Sequence, residues 1–429
     1  MRFPAALLLS GMLVVPALHA ENVKISGYIT RVASRSDFDV NGLRVRCDSR
    51  TSSGLVIGGT MSGKPGCPQT APYVGERARV EGSFRKSDRS IAATTIAFVH
   101  EASSEVSGSA VIDGLPRSGP STSAKSSLLV RADGYRILIT GKTLVVWVSP
   151  LHSFGDVRAG DWISYKGQQR ADGIVVAEKV WLEPLAVDIR EQNFRARRNF
   201  DPSKVPASAK QSAVSRHFLG VNPKRLPPYN DPQMQARVHN IGEKLIPAWQ
   251  RALPDSDPAK IHFRFQVIRI KKFYAPLALA SGVILVPQQV VSRMQNDAQL
   301  AAVLADNIAT VLERQDYRFL PEKRAKNAGA WAADAAGIFV PGAGLLAPAL
   351  CYGGGAAMDI KAEDQSGRVA LGLLHDAGYD IDQAPMAWWL LSSDTPEPIS
   401  KIPPPHRAAY LYRILGECWN NPGAVADRH

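Results

Sequence analysis

The chain is poor in cysteine and has no long apolar run. Only four cysteines occur in 429 residues, and none forms a C-x-x-C pair. That leaves a thioredoxin-type redox motif and a zinc knuckle without support. No stretch of about 20 uninterrupted apolar residues occurs, so no membrane-spanning helix is expected once the N-terminal segment is removed. The G-x-S-x-G elbow, the P-loop and the dinucleotide fingerprint are all missing, so the enzyme classes they mark have no local signature here. Acidic residues are outnumbered by basic ones, 39 against 51, for a net charge of +12. A charge of that sign suits an acidic partner. The cations are nevertheless spread along the chain, and no stretch sets them between aromatics as a nucleic-acid reader does. The reading preferred is a basic exported protein with no strong nucleic-acid signal.

What is present is a folded composition: 45% hydrophobic and 21% charged residues, enough for two or three domains. Residues 1–20 read as a signal peptide. Arg2 gives a short positive start, and Phe3 to Ala17 is apolar but broken by Pro4, Ser10, Gly11 and Pro16. Ala20 suits the position before a cut, for a mature start near Glu21, although Leu18 is larger than such sites prefer. An uncleaved anchor is the alternative, and the run is short for it. The expected location is periplasmic or secreted. In an oxidising compartment an even cysteine count suggests disulfides, with Cys47–Cys67 and Cys351–Cys418 as the pairs.

The N-terminal half contains a duplication. Ser26-Gly27-Tyr28-Ile29 is answered by Ser107-Gly108-Ser109-Ala110, and Asp39-Val40-Asn41-Gly42-Leu43 by Arg131-Ala132-Asp133-Gly134-Tyr135. Val74-Gly75-Glu76 is answered by Ala159-Gly160-Asp161. Asn-Gly and Asp-Gly between alternating runs mark hairpins. Residues 22–101 and 105–185 are therefore expected to be two all-β units, OB-like in size and strand number. Such barrels bind oligosaccharides or oligonucleotides in many settings, but fold alone does not assign a ligand. The first copy has few aromatics for stacking, so protein or scaffold contact is favoured over nucleic acid. Residues 186–230 carry Arg190, Arg195, Arg197 and Arg198 and several prolines. They read as a solvated basic linker.

From Asp231 the period becomes helical, with Asp231-Pro232 as a start signal and Met234, Val238, Ile241 and Leu245 at steps of three and four. Ile261 to Ile270 and Gly282 to Val286 read as strands, and a strong helix follows from Asp297 to about Gln315. Asn296-Asp297-Ala298-Gln299-Leu300-Ala301-Ala302-Val303-Leu304-Ala305 resembles the run before H-E-x-x-H in one group of gluzincin metalloproteases. That group includes the CAAX prenyl proteases, the HtpX heat-shock proteases and the periplasmic BepA proteases. Glu363 to Asp380 resembles the family's second, glutamate-led motif ending in A-G-Y-D, and Tyr274 to Val286 resembles its edge strand. The resemblance covers residues 231 to about 400 and implies a zincin-like domain over 231–420. It places Glu363 on the third zinc ligand and Gly367 where the family carries a supporting aspartate.

At the zinc motif the chain departs from that pattern. Where the family reads His-Glu-x-x-His, this sequence reads Asp306-Asn307-Ile308-Ala309-Thr310. The motif works because residues four apart share a helix face and the glutamate takes a proton from metal-bound water. Asn307 is no base and Thr310 is a poor neutral ligand. Two carboxylates and a hydroxyl suit a hard ion better than zinc. His375 lies twelve residues beyond Glu363, about 18 Å along a helix axis, and the other histidines form no pair at ligand spacing. Trp388-Trp389 reads as core, and the glycine-rich stretch from Ala328 to Met358 as packed helices with a loop.

The expected architecture is thus two small all-β repeats followed by an α+β, mainly helical domain. The expected role is a catalytically degenerate metalloprotease-like protein, not an enzyme, that binds proteins or peptides in the cell envelope without a cofactor. One alternative is a metalloendopeptidase with an atypical site that would need zinc. Another is oligosaccharide or polyanion binding through the repeats.

Overall fold

The structure is a computed structural model. It describes residues 21–57, 60–99, 105–115, 127–209, 223–270, 275–318, 355–392 and 405–421. The signal-peptide segment, Cys351, Tyr274 and most of the glycine-rich stretch lie outside the described residues.

Alternation of apolar and polar residues builds the first unit. Its strands are β1 (Glu21–Ser34), β2 (Asp37–Val40), β3 (Leu43–Arg46), β4 (Ser52–Ile57), β5 (Thr60–Pro65), β6 (Arg77–Arg85) and β7 (Ser90–Val99). Their order is β3-β2-β1-β6-β7-β4-β5, and a parallel pairing of β3 with β7 closes five of them into a barrel. Ile29, Phe38, Val40, Val45, Val80, Ile91 and Ile96 fill its interior with no exposure. The β2–β3 turn is Asn41-Gly42, with φ of 50° and 77°, the left-handed pair that a two-residue hairpin requires. Cys47 and Cys67 are joined as a disulfide, as the sequence suggested.

The second unit repeats the plan with β8 (Glu105–Gly114), β9 (Leu128–Ala132), β10 (Tyr135–Ile139), β11 (Leu144–Trp147), β12 (Trp162–Gln169) and β13 (Ile174–Glu183). The order is β10-β9-β8-β12-β13-β11, again closed by a parallel pair, β10 with β13. Asp133-Gly134, at φ 56° and 72°, forms the matching hairpin.

The C-terminal half is mainly helical. After α1 (Ile189–Arg198) come α2 (Pro232–Leu245), α3 (Ala248–Ala252), β14 (Arg264–Ile268), β15 (Leu277–Ala278), β16 (Val283–Pro287) and α4 (Gln288–Arg293). Then follow α5 (Asp297–Leu312), α6 (Gln315–Arg318), α7 (Gly355–Asp376), α8 (Ala384–Ser392) and α9 (His406–Ile414). Asp231 caps α2 by accepting from Met234 N at 2.9 Å, and Asn296 caps α5 through Gln299 N at 2.9 Å. α5 ends at Leu312, earlier than its apolar run suggested, because Arg314 turns to φ 55°. The small sheet runs β14-β16-β15, with β15 at its antiparallel edge. Among the described residues no helix is long and apolar enough to cross a membrane.

The second barrel and the helical half share one hydrophobic core. Polar pairs fasten the seam. Arg368 donates through Nη2 to Asp133 Oδ1 at 2.5 Å and through Nε to Asp133 O at 2.9 Å. Tyr165 Oη donates to the other Asp133 oxygen at 2.7 Å. The buried Glu313 carboxylate accepts from Val111 N at 3.2 Å, and burial pushes its pKa well up. The first barrel touches the same half. A Cβ on Gly75 would lie 2.3 Å from Tyr412 O, so that contact requires glycine.

Beside Gly75, the half-buried Glu76 has its pKa pushed up to about 7 by burial, with a partial counter-pull from Tyr73 N. Its unfolded value is about 4.3. A raised folded pKa means that its contribution is fully present below pH ~4.3 and lost as pH rises through about 7. Glu76→Gln should therefore flatten the fall in melting temperature between pH 5 and 8, measured against wild type. An unchanged slope would assign it to another group.

Within the segment 186–230, of which 210–222 lie outside the described residues, Ile189–Arg198 is a helix with Glu191 buried, where a solvated linker was expected. Asp188 caps α1 by accepting from Glu191 N at 2.7 Å, and α1 packs against α6 through Phe194 and Tyr317 and against Arg314 just after α5. Arg190 and Arg197 are exposed as expected, but Arg195 pairs with the buried Glu191, whose second partner, Arg314, is 123 residues away.

Candidate functional site

The run Asp306-Asn307-Ile308-Ala309-Thr310 sits on α5, and the helix carrying Glu363, α7, packs alongside it. Asp306 is 4% exposed. Its Oδ1 accepts from Ser366 Oγ on α7 at 2.7 Å and pairs with the Arg407 guanidinium from α9. Arg407 Nη2 also donates to Ser366 Oγ at 3.1 Å, and its guanidinium lies 3.9 Å over the Trp388 ring. Burial pushes the Asp306 carboxyl up, while the Arg407 charge and the Ser366 hydroxyl pull it back. Three helices thus converge on one carboxylate.

The other motif positions turn inward to their own helix. Asn307 Nδ2 donates to Val303 O at 2.8 Å, and Thr310 Oγ1 donates to Asp306 O at 3.0 Å. Glu363 is half-buried one turn before Ser366, whose hydroxyl lies 3.1 Å from Glu363 O. His375, His239, His262 and His406 are exposed, and His217 lies outside the described residues. This donor set does not fit zinc. Asp306 is committed to a guanidinium, and Asn307 and Thr310 are committed to backbone carbonyls.

Beside Thr310, α1 packs over α5 and the residues after β15. Glu191 of α1 is 1% exposed. Its carboxylate takes Arg195 Nε at 3.0 Å and Arg314 Nε at 2.9 Å. Ser281, just after β15, donates to Arg198 O at 2.9 Å. Between α1, β15 and α5 there remains a recess of about 10 Å³ lined by Glu191, Leu279, Thr310 and Val311, room for one water. Gly282 (φ 88°) makes the turn from β15 to β16, and a Cβ there would strike Ile261.

Residues 26–97 match a family model described as a domain of unknown function, DUF5666. The match lies within the first barrel. No curated protein matches the chain.

The sequence reading missed Arg407, Ser366 and Glu191. Arg407 had a signal: it lies beside an apolar stripe, Ala408, Leu411 and Leu415, that had to be buried. Glu191 and Arg195 stand four apart, a spacing that pairs on one helix face. The two tryptophans read as core are 3% and 5% exposed. Cys418 is buried and contacts Gln169 Nε2 at 3.4 Å; its suggested partner, Cys351, falls outside the described residues.

Proposed function

We propose that this chain is an exported, catalytically degenerate metalloprotease-like protein that binds polypeptides in the cell envelope. In this reading two OB-like barrels precede a zincin-like helical half that serves as a rigid platform. The observation that carries it is the commitment of Asp306 to Arg407 and Ser366. A guanidinium is permanently charged, so the cation facing this carboxylate is part of the chain. With Asn307 unable to take a proton from water, the relict motif has neither a metal cradle nor a base. The α1 helix over the β15 edge further argues that the old cleft is no substrate channel.

Elemental analysis of the mature full chain, purified without chelators or a histidine tag, tests the degenerate half of the reading. The expected result is near-zero zinc. Stoichiometric zinc that is lost in Asp306→Ala or Glu363→Ala would mean a working metal site and would sink it. The binding half is tested by whether the protein keeps a chemically unfolded outer-membrane β-barrel polypeptide from aggregating at near-equimolar ratio. No protection removes that half.

A further inference from the structure

The two barrels are copies of one plan and differ at one edge. In the first, β4 leaves the barrel and runs parallel to β7, from Ser52↔Thr95 to Val56↔Val99. Its far edge is covered by β5, which pairs antiparallel through Ser53↔Lys64 to Val56↔Met61. In the second, β11 takes the same place, parallel to β13 from Leu144↔Lys179 to Trp147↔Leu182. Among the described residues no strand pairs with the far edge of β11.

The backbone at that edge is arranged for pairing. Val148 N donates to Leu182 O at 2.9 Å. By the alternation of a parallel ladder, the amides and carbonyls of Val145 and Trp147 then face the open side. Exposed edges are ordinarily guarded by lysine, proline or a bulge. Leu144-Val145-Val146-Trp147 contains no charge and no proline, and its pairing with β13 runs without a register shift.

The β11 residues of the outer face are apolar, and beside them on β13 Lys179 lies 4.2 Å over the Trp181 ring. Leu144, Val146 and Val148 share that face, because alternate residues point the same way. Leu144 is 57% and Val148 37% exposed, and Val146 is level with Trp181 on β13.

We infer that β11 is a docking edge for an extended polypeptide segment with apolar side chains at alternate positions. The segment adds antiparallel to β11 as β5 adds to β4. Main-chain hydrogen bonds supply the affinity, and contacts to Leu144, Val146 and Val148 select the alternating pattern. A saccharide or nucleic acid would leave this row of amides and carbonyls poorly matched against an apolar face. The inference rests on the polypeptide-binding reading and locates the site within it.

The test uses the mature full chain and a fluorescent peptide of ~10 residues, alternating valine and threonine with lysine ends so that the basic protein does not attract it by charge. A control of the same length and charge carries two adjacent central prolines, which remove donors from both edges. The expected result is 1:1 binding of the first peptide only, weakened about tenfold or more by Val145→Pro and by Leu144→Glu. Val145→Pro removes an outward amide and should leave the β11–β13 ladder in place. If it fails to fold, Leu144→Glu, at an exposed position, decides. Binding that neither variant weakens overturns this site while leaving the polypeptide-binding reading standing. No binding at about 1 mM overturns both. A dimer that Leu144→Glu dissolves would make a second copy the occupant and overturn the proposal.

Discussion

Arg407→Ala should destabilise the protein by about 3–5 kcal/mol, read from urea unfolding at neutral pH. The change removes the counter-charge of Asp306 and leaves a carboxylate 4% exposed with only the Ser366 hydroxyl at 2.7 Å. An uncompensated buried charge is the costly outcome, whereas loss of the pair as a pair is not. Replacing both partners by apolar residues, Asp306→Leu with Arg407→Met, should therefore recover most of the loss.

The pH dependence carries a second signature. Without Arg407, burial is opposed only by the Ser366 hydroxyl and raises the Asp306 pKa further above its unfolded value. The single variant then binds a proton in the folded state that the unfolded state has released. Its deficit should be smallest in acid and grow as pH rises through the new folded pKa. A deficit equal at pH 5 and pH 8 would show that Asp306 is not the group left uncompensated.

Arg368→Ala should cost a similar amount, about 3–5 kcal/mol, for a different reason. Its side chain is 13% exposed and Asp133 is 2% exposed. Besides the two bonds to Asp133, the guanidinium also holds the Tyr410 hydroxyl. Asp133 belongs to the second barrel, while Arg368 and Tyr410 belong to α7 and α9. The substitution therefore weakens the seam itself. Unfolding followed by tryptophan fluorescence and by far-ultraviolet circular dichroism should lose its coincidence as barrel and helices come apart. Arg368→Lys should recover less than half of the loss, because an ammonium cannot reach both the Asp133 carboxylate and its carbonyl with the same fork. A cost below about 1 kcal/mol for Arg368→Ala would mean that apolar burial alone holds the seam.

Much of the architecture was readable along the chain. The duplication, the Asn41-Gly42 and Asp133-Gly134 turns, the Asp231 and Asn296 helix starts and the Cys47–Cys67 bridge all rest on signals within a few residues or on a cysteine count. Local chemistry is sufficient for these. A hairpin turn needs φ above zero at adjacent residues, and a helix start needs a side-chain acceptor for its orphan amides.

The residues Asp306, Asn307 and Thr310 were equally plain along the chain, but the partners that hold Asp306 were not. Arg407 stands 101 residues from Asp306, and Arg368 stands 235 from Asp133. Glu191 stands 123 from Arg314. No periodicity links such pairs, because a buried charge takes whichever partner the packing brings within reach. The same holds for two features of the β repeats. One barrel shares its core with the helices and the other keeps its own. One edge strand is covered by β5, whereas among the described residues no strand pairs with the far edge of its counterpart β11. By itself, then, the sequence determined the elements and their turns, through forces that act between near neighbours. The tertiary structure alone decided which charges meet and, among the described residues, which strand edges pair, since those depend on where distant segments come to lie.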